Sequence, residues 1–245
     1  MWVDLKGKDS VPETVHHLVL PVDPTSDMSW SRQNPIPHTD EVHKNDKVDV
    51  NNNSPESHSE AIKRLKPLKL KELLDALDCS QCLIFCRTNL DCDNLEAYLT
   101  ALGGGRGFRG KVEKGVENPY SCVVMAGMRG NDERRENLQA FKDGDVRFLV
   151  CTDVAARGID IKGLPYCINL CLPDKDEDYL HRVGRVGRAD HMGLAISLVA
   201  TQKEKVWYYD KKKWAKKELS TKLADQGGCC IWYDEPLPNT LQRPL

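Results

Sequence analysis

Short apolar runs that alternate with amphipathic segments constrain the fold of this chain more than any other feature. Five strand-sized runs follow Ser80, and they are CLIFC (82–86), SCVVMA (121–126), VRFLVCT (146–152), YCINLCL (166–172) and LAISLVA (194–200). Helix-like segments lie between them at 89–102, 132–142 and 174–183. Apolar strands separated by amphipathic helices are typical of a parallel sheet that is covered on both faces. The pattern predicts an α/β domain with a mainly parallel sheet flanked by helices.

The chain before Cys82 is less regular. TVHHLVLPV (14–22) predicts a further strand because it is apolar, β-branched and followed by prolines. Residues 25–59 are rich in Asn, Asp, His, Pro and Ser, and they predict a mobile inserted loop. The segment EAIKRLKPLKLKELLDAL has helical periodicity, but Pro67 predicts one broken helix or two short ones.

Composition limits the possible partners. The net charge of −2 over 245 residues gives no global basic field, so a site for a polyanion must be local. The ten cysteines occur mostly inside apolar runs, which indicates reduced thiols in a cytoplasmic or nuclear protein. In the C-x-x-C pair, Cys82 is interpreted as the start of a buried strand, with a metal site as the alternative. No apolar run approaches the roughly eighteen residues of a membrane span, so no membrane partner is expected.

Two segments near the carboxyl terminus have less certain roles. KVWYYDKKKWAKKEL (205–219) is basic with interspersed aromatics, a composition that grips single-stranded nucleic acid in some proteins. The favoured interpretation is the solvated face of a helix whose aromatics pack on the domain. GGCCIWYDE (227–235) predicts a last short strand.

Polar residues follow two of the predicted strands. In an open parallel sheet, ligands collect where strands end. Thr152 ends the 146–152 run, and Gly158 and Asp160 follow it. At a strand end a hydroxyl and turn amides can bind phosphate oxygens, and a carboxylate can accept from a ribose hydroxyl. After the 166–172 run, Asp174 and Glu177 predict a capping box that opens the next helix.

That helix leads into HRVGRVGR, which places an arginine at every third position, at Arg182, Arg185 and Arg188. Salt bridges to nearby acids are the alternative to a ligand site, and for Arg182 alone both interpretations stay open. Salt bridges explain the spacing of all three arginines less well, because surface salt bridges do not require glycines between the arginines.

HRVGRVGR resembles HRIGRTGR, the sixth motif of the DEAD-box RNA helicases. LIFCRT (83–88) resembles their fourth motif, TDVAARGID (152–160) their fifth, and INLCLPD (168–174) the segment between the fifth and sixth. Asn131 to Gly144 is similar to the Q-x-x-R pattern, with Asn131 in place of Gln. WVDLKGKDSVPETVHH, GLAISLVATQKEKVWYY and GGCCIWYDE are similar to the SPRY-domain-containing DEAD-box helicases of animals.

The resemblance implies a RecA-like domain of the P-loop NTPase type, the second of the two that close over ATP and single-stranded RNA. It implies that 1–13 are a remnant of the interdomain linker, that 14–235 are the domain with a flexible insertion at 25–59, and that 236–245 are a tail. RNA and the first RecA-like domain are then the partners. The resemblance further implies nuclear and cytoplasmic localisation, and association with tRNA-ligase or RNA-processing complexes.

The resemblance also implies roles for individual residues. Arg188 is expected to be the arginine finger on the γ-phosphate, with Arg185 beside it and His181 coupling the nucleotide site to the other domain. The residues expected at the nucleotide are Gly158, Asp160, Arg185 and Arg188. Those expected at RNA phosphates and sugars are Arg87, Gly127, Arg134 and Thr152. Val186 replaces the usual Thr of the sixth motif without changing the arginine spacing, whereas Ala126 and Met128 depart from the usual His and acid beside Gly127.

A phosphate-cradling G-x-x-x-x-G-K-S/T loop and an acidic magnesium motif at a strand end are absent from the sequence. ATP with Mg is therefore expected to bind mainly to a first domain outside this chain, and the chain alone is expected to be inactive. Because it starts at MWVDLKGK, the chain is expected to be the carboxyl half of a larger enzyme. Two alternatives stay open: a non-catalytic RNA-binding or scaffolding module, and a superfamily 2 DNA translocase domain.

Overall fold

The computed structural model describes residues 2–3, 14–103, 118–157, 159, 161, 163–187, 192–208 and 229–237. The strands in these ranges are β1 (Trp2–Val3), β2 (Val15–Val22), β3 (Cys82–Phe85), β4 (Cys122–Met125), β5 (Phe148–Cys151), β6 (Tyr166–Asn169), β7 (Gly193–Ala200), β8 (Glu204–Tyr208) and β9 (Cys229–Tyr233). The α-helices are α1 (Pro55–Ala76), α2 (Asn89–Leu102), α3 (Asn131–Lys142), α4 (Asp153–Ala156) and α5 (Asp176–Val183). A 3-10 turn spans Ser29–Ser31.

Seven strands form one sheet in the order β1-β2-β7-β6-β3-β5-β4. The six strands in the order β2-β7-β6-β3-β5-β4 pair in parallel with their neighbours, and β1 pairs antiparallel with β2 at the edge. The predicted mainly parallel sheet is confirmed. β8 and β9 pair with each other in a separate antiparallel sheet.

The sheet lies between two layers of helices, because its strands are apolar on both faces. Ile84 of β3 packs in a core with α1 and α2, whereas its neighbour Leu83 packs in a second core with α3, α4 and α5. The strands β3, β4 and β5 are buried at every position. This is the α/β architecture predicted from the alternating runs.

Three local predictions are wrong. Helix α1 continues from Pro55 to Ala76 through Pro67, so the proline neither breaks nor divides it. Helix α5 has Lys175 as its N-cap with no side-chain bond, and Asp174 instead accepts a hydrogen bond from the Tyr233 hydroxyl at 2.6 Å, so the predicted capping box does not form. The start of the basic aromatic stretch, residues 205–208, lies in strand β8 and not in a helix, and residues 209–219 lie outside the described residues.

The segment predicted as a mobile insertion ends at residue 54, because Ser54 caps α1 and the helix begins at Pro55. Within the segment Trp30 is buried, and the Arg64 guanidinium lies 5.5 Å from its ring centre. Asp40 is also buried and pairs with Lys63 Nζ at 2.8 Å. The insertion therefore packs along α1 although it has little regular structure.

The β8–β9 hairpin is joined to the domain by a buried ionic cluster. Lys66 Nζ of α1 lies 2.9 Å from Glu204 Oε1 and 3.0 Å from Glu235 Oε2. Glu235 also accepts from the backbone N–H groups of Leu172, beyond β6, at 2.6 Å and of Ala200, the last residue of β7, at 3.1 Å. A buried charge requires such partners, so this cluster fixes the hairpin at the carboxyl edge of the sheet.

None of the helices in the described ranges is both long and apolar enough to cross a membrane.

Candidate functional site at the carboxyl edge of the sheet

The predicted site residues that the structure describes lie at or beyond the carboxyl ends of adjacent strands. Arg87, Thr152 and Gly127 follow β3, β5 and β4, which are neighbours in the sheet. His181 and Arg185 lie at the end of α5 and just after it, and α5 follows β6 on the other side of β3. Because parallel strands end at one edge, the sheet brings both predicted sets to the same side of the molecule.

Arg182, the first arginine of HRVGRVGR, is a structural residue. Its side chain is 1% exposed, with Nε and Nη2 donating to the two carboxylate oxygens of Asp153 at 2.6 and 2.7 Å. Nη1 donates to Asn169 Oδ1 at 2.9 Å and to the Cys171 carbonyl at 2.6 Å, and the guanidinium lies 4.7 Å from the Phe85 ring centre. Every nitrogen is occupied, so Arg182 is not available for a ligand.

The electrostatics of this pair keep Arg182 charged. Burial by itself lowers the pKa of the guanidinium, but the hydrogen bonds and charge of Asp153 outweigh it and raise the pKa above its usual value. The bidentate geometry joins α5 to the start of α4. The open question about Arg182 is thus resolved in favour of a salt bridge.

The chain after α5 is held in place by backbone pairing. The Leu164 N–H donates to the Arg185 carbonyl at 3.1 Å, and the Gly187 N–H donates to the Leu164 carbonyl at 3.0 Å. Gly187 has φ of 71°, a conformation that favours glycine. Gly193 of β7 packs so closely that a Cβ on it would lie 2.5 Å from Gly187 N. Arg185 therefore leaves the domain from a fixed backbone position.

Arg185 and His181 line a cavity of about 170 Å³ together with Arg157, Asp178 and other residues of α4 and α5. Arg185 Nη1 donates to the Ile159 carbonyl at 2.7 Å. The side chain of His181 is 71% exposed, and its Nδ1 lies 3.9 Å from Asp178 Oδ1. Arg157 Nη2 pairs with the same carboxylate at 2.9 Å. The rim is cationic and accessible, as a phosphate site requires.

Arg87 has few protein partners. It is half-buried after β3, and its guanidinium lies 5.3 Å from the ring centre of Tyr233. Among the described residues it makes no hydrogen bond and no ion pair. Although burial by itself lowers the pKa of Arg87, Asp91 and other acids raise it above its usual value, so the group is charged. A charged guanidinium with its donors unused is suited to binding an anion.

The loop after β4 is held by ionic contacts. Arg129 is surrounded by carboxylates, at 2.9 Å from Asp93, 2.7 Å from Glu96 and 2.8 Å from Glu133. The Gly127 N–H donates to Asn89 Oδ1 at 3.2 Å, and the glycine is exposed. This loop thus has a fixed conformation although its sequence departs from the pattern that it resembles.

Arg134 lies on α3 beyond this loop. Its Nη2 contacts Asn131 Oδ1, and its Nε is buried without a hydrogen-bond partner in the part of the chain that the structure describes. Asn131, which stands where Gln is usual, therefore contacts the predicted RNA-binding arginine directly.

Thr152 is 8% exposed and is the N-cap of the short helix α4, where its side chain makes no capping bond. The remaining predicted site residues, Gly158, Asp160 and Arg188, lie outside the described residues. Their roles stay predictions.

Sequence reasoning missed the contacts of Asp153 and Tyr233. Asp153 lies inside TDVAARGID, and its carboxylate in that motif was a signal that could have indicated a pairing with an arginine of HRVGRVGR. Tyr233 stacks on Arg87 from 146 positions further along the chain, and no local pattern indicates that contact.

No group of three or more His, Cys, Asp or Glu side chains within the described ranges is arranged to hold a metal ion. Cys82 begins β3 and is buried, as predicted, and the nine cysteines from Cys79 to Cys171 and at Cys230 that the structure describes are free thiols.

Comparison with known proteins defines the class of this domain. Residues 65–190 match the family described as helicase conserved C-terminal domain. The chain is 52% identical over 236 residues to the ATP-dependent RNA helicase DDX1 of Xenopus laevis, and the match covers 96% of this chain and 31% of the relative. It is 51% identical over 240 residues to the ATP-dependent RNA helicase Ddx1 of Drosophila melanogaster, with the same coverage. The chain thus spans about a third of the length of these relatives.

The fold agrees with this family. The crystal structure of the yeast DEAD-box splicing factor Prp28 superposes with a TM-score of 0.50 at 22% identity, over 79% of this chain and 31% of that chain. The architecture is a RecA-like domain with a mainly parallel sheet, as the sequence predicted. The chain belongs to the helicase conserved C-terminal domain family, and its relatives named above are ATP-dependent RNA helicases.

Proposed function

We propose that this chain is the second RecA-like domain of an ATP-dependent RNA helicase. It supplies the arginine finger and half of the RNA groove for unwinding or remodelling RNA at the expense of ATP. The observation that carries the proposal is the difference between two arginines of HRVGRVGR. The donors of Arg182 are all taken by Asp153, Asn169 and the Cys171 carbonyl, while Arg185 lines an open cationic rim. If HRVGRVGR served only to stabilise the fold, Arg185 would not need to line an open rim.

The nucleotide half of the proposal rests on the rim around Arg185 and His181. Guanidinium groups bind phosphate oxygens with several donors, and an arginine finger accelerates phosphoryl transfer by about 10³–10⁵. We assign the finger to Arg188, with Arg185 beside it and His181 coupling the rim to the first domain. Gly158 and Asp160 are proposed at the nucleotide because they belong to the TDVAARGID motif, which follows β5 at the same edge.

The RNA half rests on Arg87, whose donors have no other partner in the described part of the chain. Arg134 adds a second guanidinium, whose buried Nε has no hydrogen-bond partner among the described residues. Arg87, Thr152 and Gly127 follow three adjacent β-strands, and Arg134 lies on α3. This arrangement suits contacts to the phosphates and sugars of single-stranded RNA without base readout.

ATP and Mg require a second domain in this proposal. The described residues fit phosphate through Arg185 and His181, but they include no carboxylate cluster for a metal ion. Mg is therefore assigned to the first domain, where it would neutralise charge on the phosphates. The role of this chain is to present guanidinium groups to a nucleotide that the other domain holds.

The test is complementation. The chain is mixed with or fused to a first RecA-like domain of the same family, and RNA-stimulated ATP turnover is measured. Arg188→Ala is expected to abolish turnover while RNA binding is retained, and Arg135→Ala, at an exposed ion pair with Asp132 on α3, is the control with turnover largely kept. Turnover in Arg188→Ala equal to that of the unmodified protein would reject the finger assignment.

The same assay separates the alternative of a scaffolding module. A scaffold binds RNA or protein with no dependence on ATP and none on Arg185 or Arg188. Duplex DNA supplied in place of RNA tests the translocase alternative, since stimulation by DNA alone would favour it.

Cellular context completes the proposal. The free thiols of the described cysteines support a reducing compartment, and we propose nuclear and cytoplasmic localisation. Association with tRNA-ligase or other RNA-processing complexes is proposed from the resemblance to the SPRY-domain-containing helicases.

A further inference from the structure

The Arg87 guanidinium contacts the ring of Tyr233. Tyr233 lies on β9, outside the residues 65–190 that match the helicase family. We propose that Tyr233 is a positioning residue that holds the Arg87 guanidinium in place for an RNA phosphate. This inference rests on the proposed RNA contact of Arg87. It adds to that contact a residue from the carboxyl-terminal hairpin.

The first support is the geometry at Arg87. The guanidinium lies 5.3 Å from the ring centre of Tyr233, within the range of a cation–π contact. A cation–π contact of this kind does not pair the N–H donors of the guanidinium with a hydrogen-bond acceptor. The ring therefore fixes Arg87 and leaves its donors for a phosphate.

The second support is the way in which Tyr233 itself is held. Its hydroxyl donates to Asp174 Oδ1 at 2.6 Å, just before α5. Two residues further on, Glu235 bonds to Lys66 and to the N–H groups of Leu172 and Ala200. The ring is thus anchored on both sides, at its hydroxyl and through the following backbone.

The third support is the number of places at which the hairpin is fixed. Trp207 Nε1 of β8 donates to the Asp40 carbonyl at 2.8 Å, and Lys205 Nζ pairs with Asp46 at 2.8 Å. The Lys205 N–H also donates to Ser59 Oγ at 2.8 Å. The hairpin joins the insertion, α1 and the strand ends, so β9 has one position relative to Arg87.

The test compares variants that differ in the ring. Tyr233→Leu removes the aromatic face, Tyr233→Phe keeps it and loses only the bond to Asp174, and Tyr233→Trp keeps an aromatic face that binds cations well. Each is made in the full chain joined to a first RecA-like domain. The readouts are the affinity for a fluorescent oligo(U) RNA and the KM for RNA in RNA-stimulated ATP turnover.

Tyr233→Leu is expected to weaken oligo(U) binding and raise the KM for RNA about 3- to 10-fold, while kcat at saturating RNA is unchanged. Tyr233→Phe and Tyr233→Trp are expected to stay within about twofold of the unmodified protein. In an Arg87→Ala background, Tyr233→Leu is expected to have no further effect, because the two residues act through one contact.

The outcomes separate this inference from the proposed function. If Arg87→Ala leaves RNA binding intact, the RNA role of Arg87 is wrong and the inference fails with it. If Arg87→Ala weakens binding but Tyr233→Leu does not, only the inference is overturned. A loss of kcat without a change in KM, or additive effects of the two substitutions, would also overturn it. Should Tyr233→Leu not fold, a several-fold loss of RNA affinity in Tyr233→Trp would overturn it.

Discussion

Arg182→Met is the perturbation that tests most sharply whether the first arginine of HRVGRVGR is structural. Methionine keeps the aliphatic stem of the side chain but has no guanidinium and carries no donors. The substitution leaves the Asp153 carboxylate, the Asn169 oxygen and the Cys171 carbonyl without the four hydrogen bonds that Arg182 donates. The change therefore removes the charge pairing and keeps only the aliphatic part of the side chain.

The expected loss follows from burial. Removing one partner of a buried ion pair costs about 3–5 kcal/mol, and the Arg182 side chain is 1% exposed while that of Asp153 is 26% exposed. For a domain of 150–250 residues, each 1 kcal/mol lowers the melting temperature by about 2–4 °C. Arg182→Met is expected to lower it by about 6–20 °C. Asp153→Asn combined with Arg182→Met is expected to recover part of that loss, because no unpaired charge then stays behind.

The assay is urea unfolding of the chain followed by circular dichroism. Arg157→Met is the matched control, because Arg157 also pairs with an aspartate at 2.9 Å but its side chain is 62% exposed. An exposed pair of this kind contributes about 1 kcal/mol or less. Equal losses in Arg182→Met and Arg157→Met, both near 1 kcal/mol, would refute the assignment of Arg182 to the core.

Two further predictions concern pH and the path of the chain. Burial by itself raises the pKa of Glu204, but Lys66 and Lys63 outweigh it and set the pKa to about 2, below the usual 4.5. Because its pKa is lowered, this carboxylate stabilises the fold fully above about pH 4.5 and loses that effect as the pH falls toward 2. The urea midpoint is therefore expected to decrease over this range. In Glu204→Gln the midpoint is expected to depend less on pH. A midpoint independent of pH in that range would contradict the ionic cluster. In Gly193→Ala the new Cβ would lie 2.2 Å from Val186 Cγ1 and 2.5 Å from Gly187 N, so stability and ATP turnover of the completed protein are both expected to fall. Gly130→Ala, with nothing within 4 Å of the added Cβ, is the control, and equal effects would show that the packing of Gly193 is unimportant.

The sheet was predictable because its strands are apolar throughout. Runs such as CLIF of β3 are buried at every position, and a parallel strand between two helix layers requires that composition. The position of the predicted site residues at strand ends follows from the same topology. Pro67 shows the limit, since a proline weakens a helix locally but the buried residues on both sides of it keep α1 continuous.

Long-range partners were not predictable from local pattern. Arg182 and Arg185 are three residues apart in one motif, yet one is occupied by Asp153 and the other lines the rim. Arg182 lies on α5 within reach of Asp153, whereas Arg185 follows the end of the helix. Asp174 illustrates the same point, because a local rule assigns it to a helix cap while the structure gives it to Tyr233 of β9.

The central claim is that this chain carries half of a nucleotide site. The most direct test is the affinity of a fluorescent, non-hydrolysable ATP analogue for the chain alone, and for the chain joined to a first RecA-like domain with oligo(U) RNA present. We expect weak binding to the chain alone and tight binding to the completed protein, reduced in the completed protein by Arg185→Ala. Tight binding to the chain alone, or no change in the completed protein with Arg185→Ala, would contradict the account.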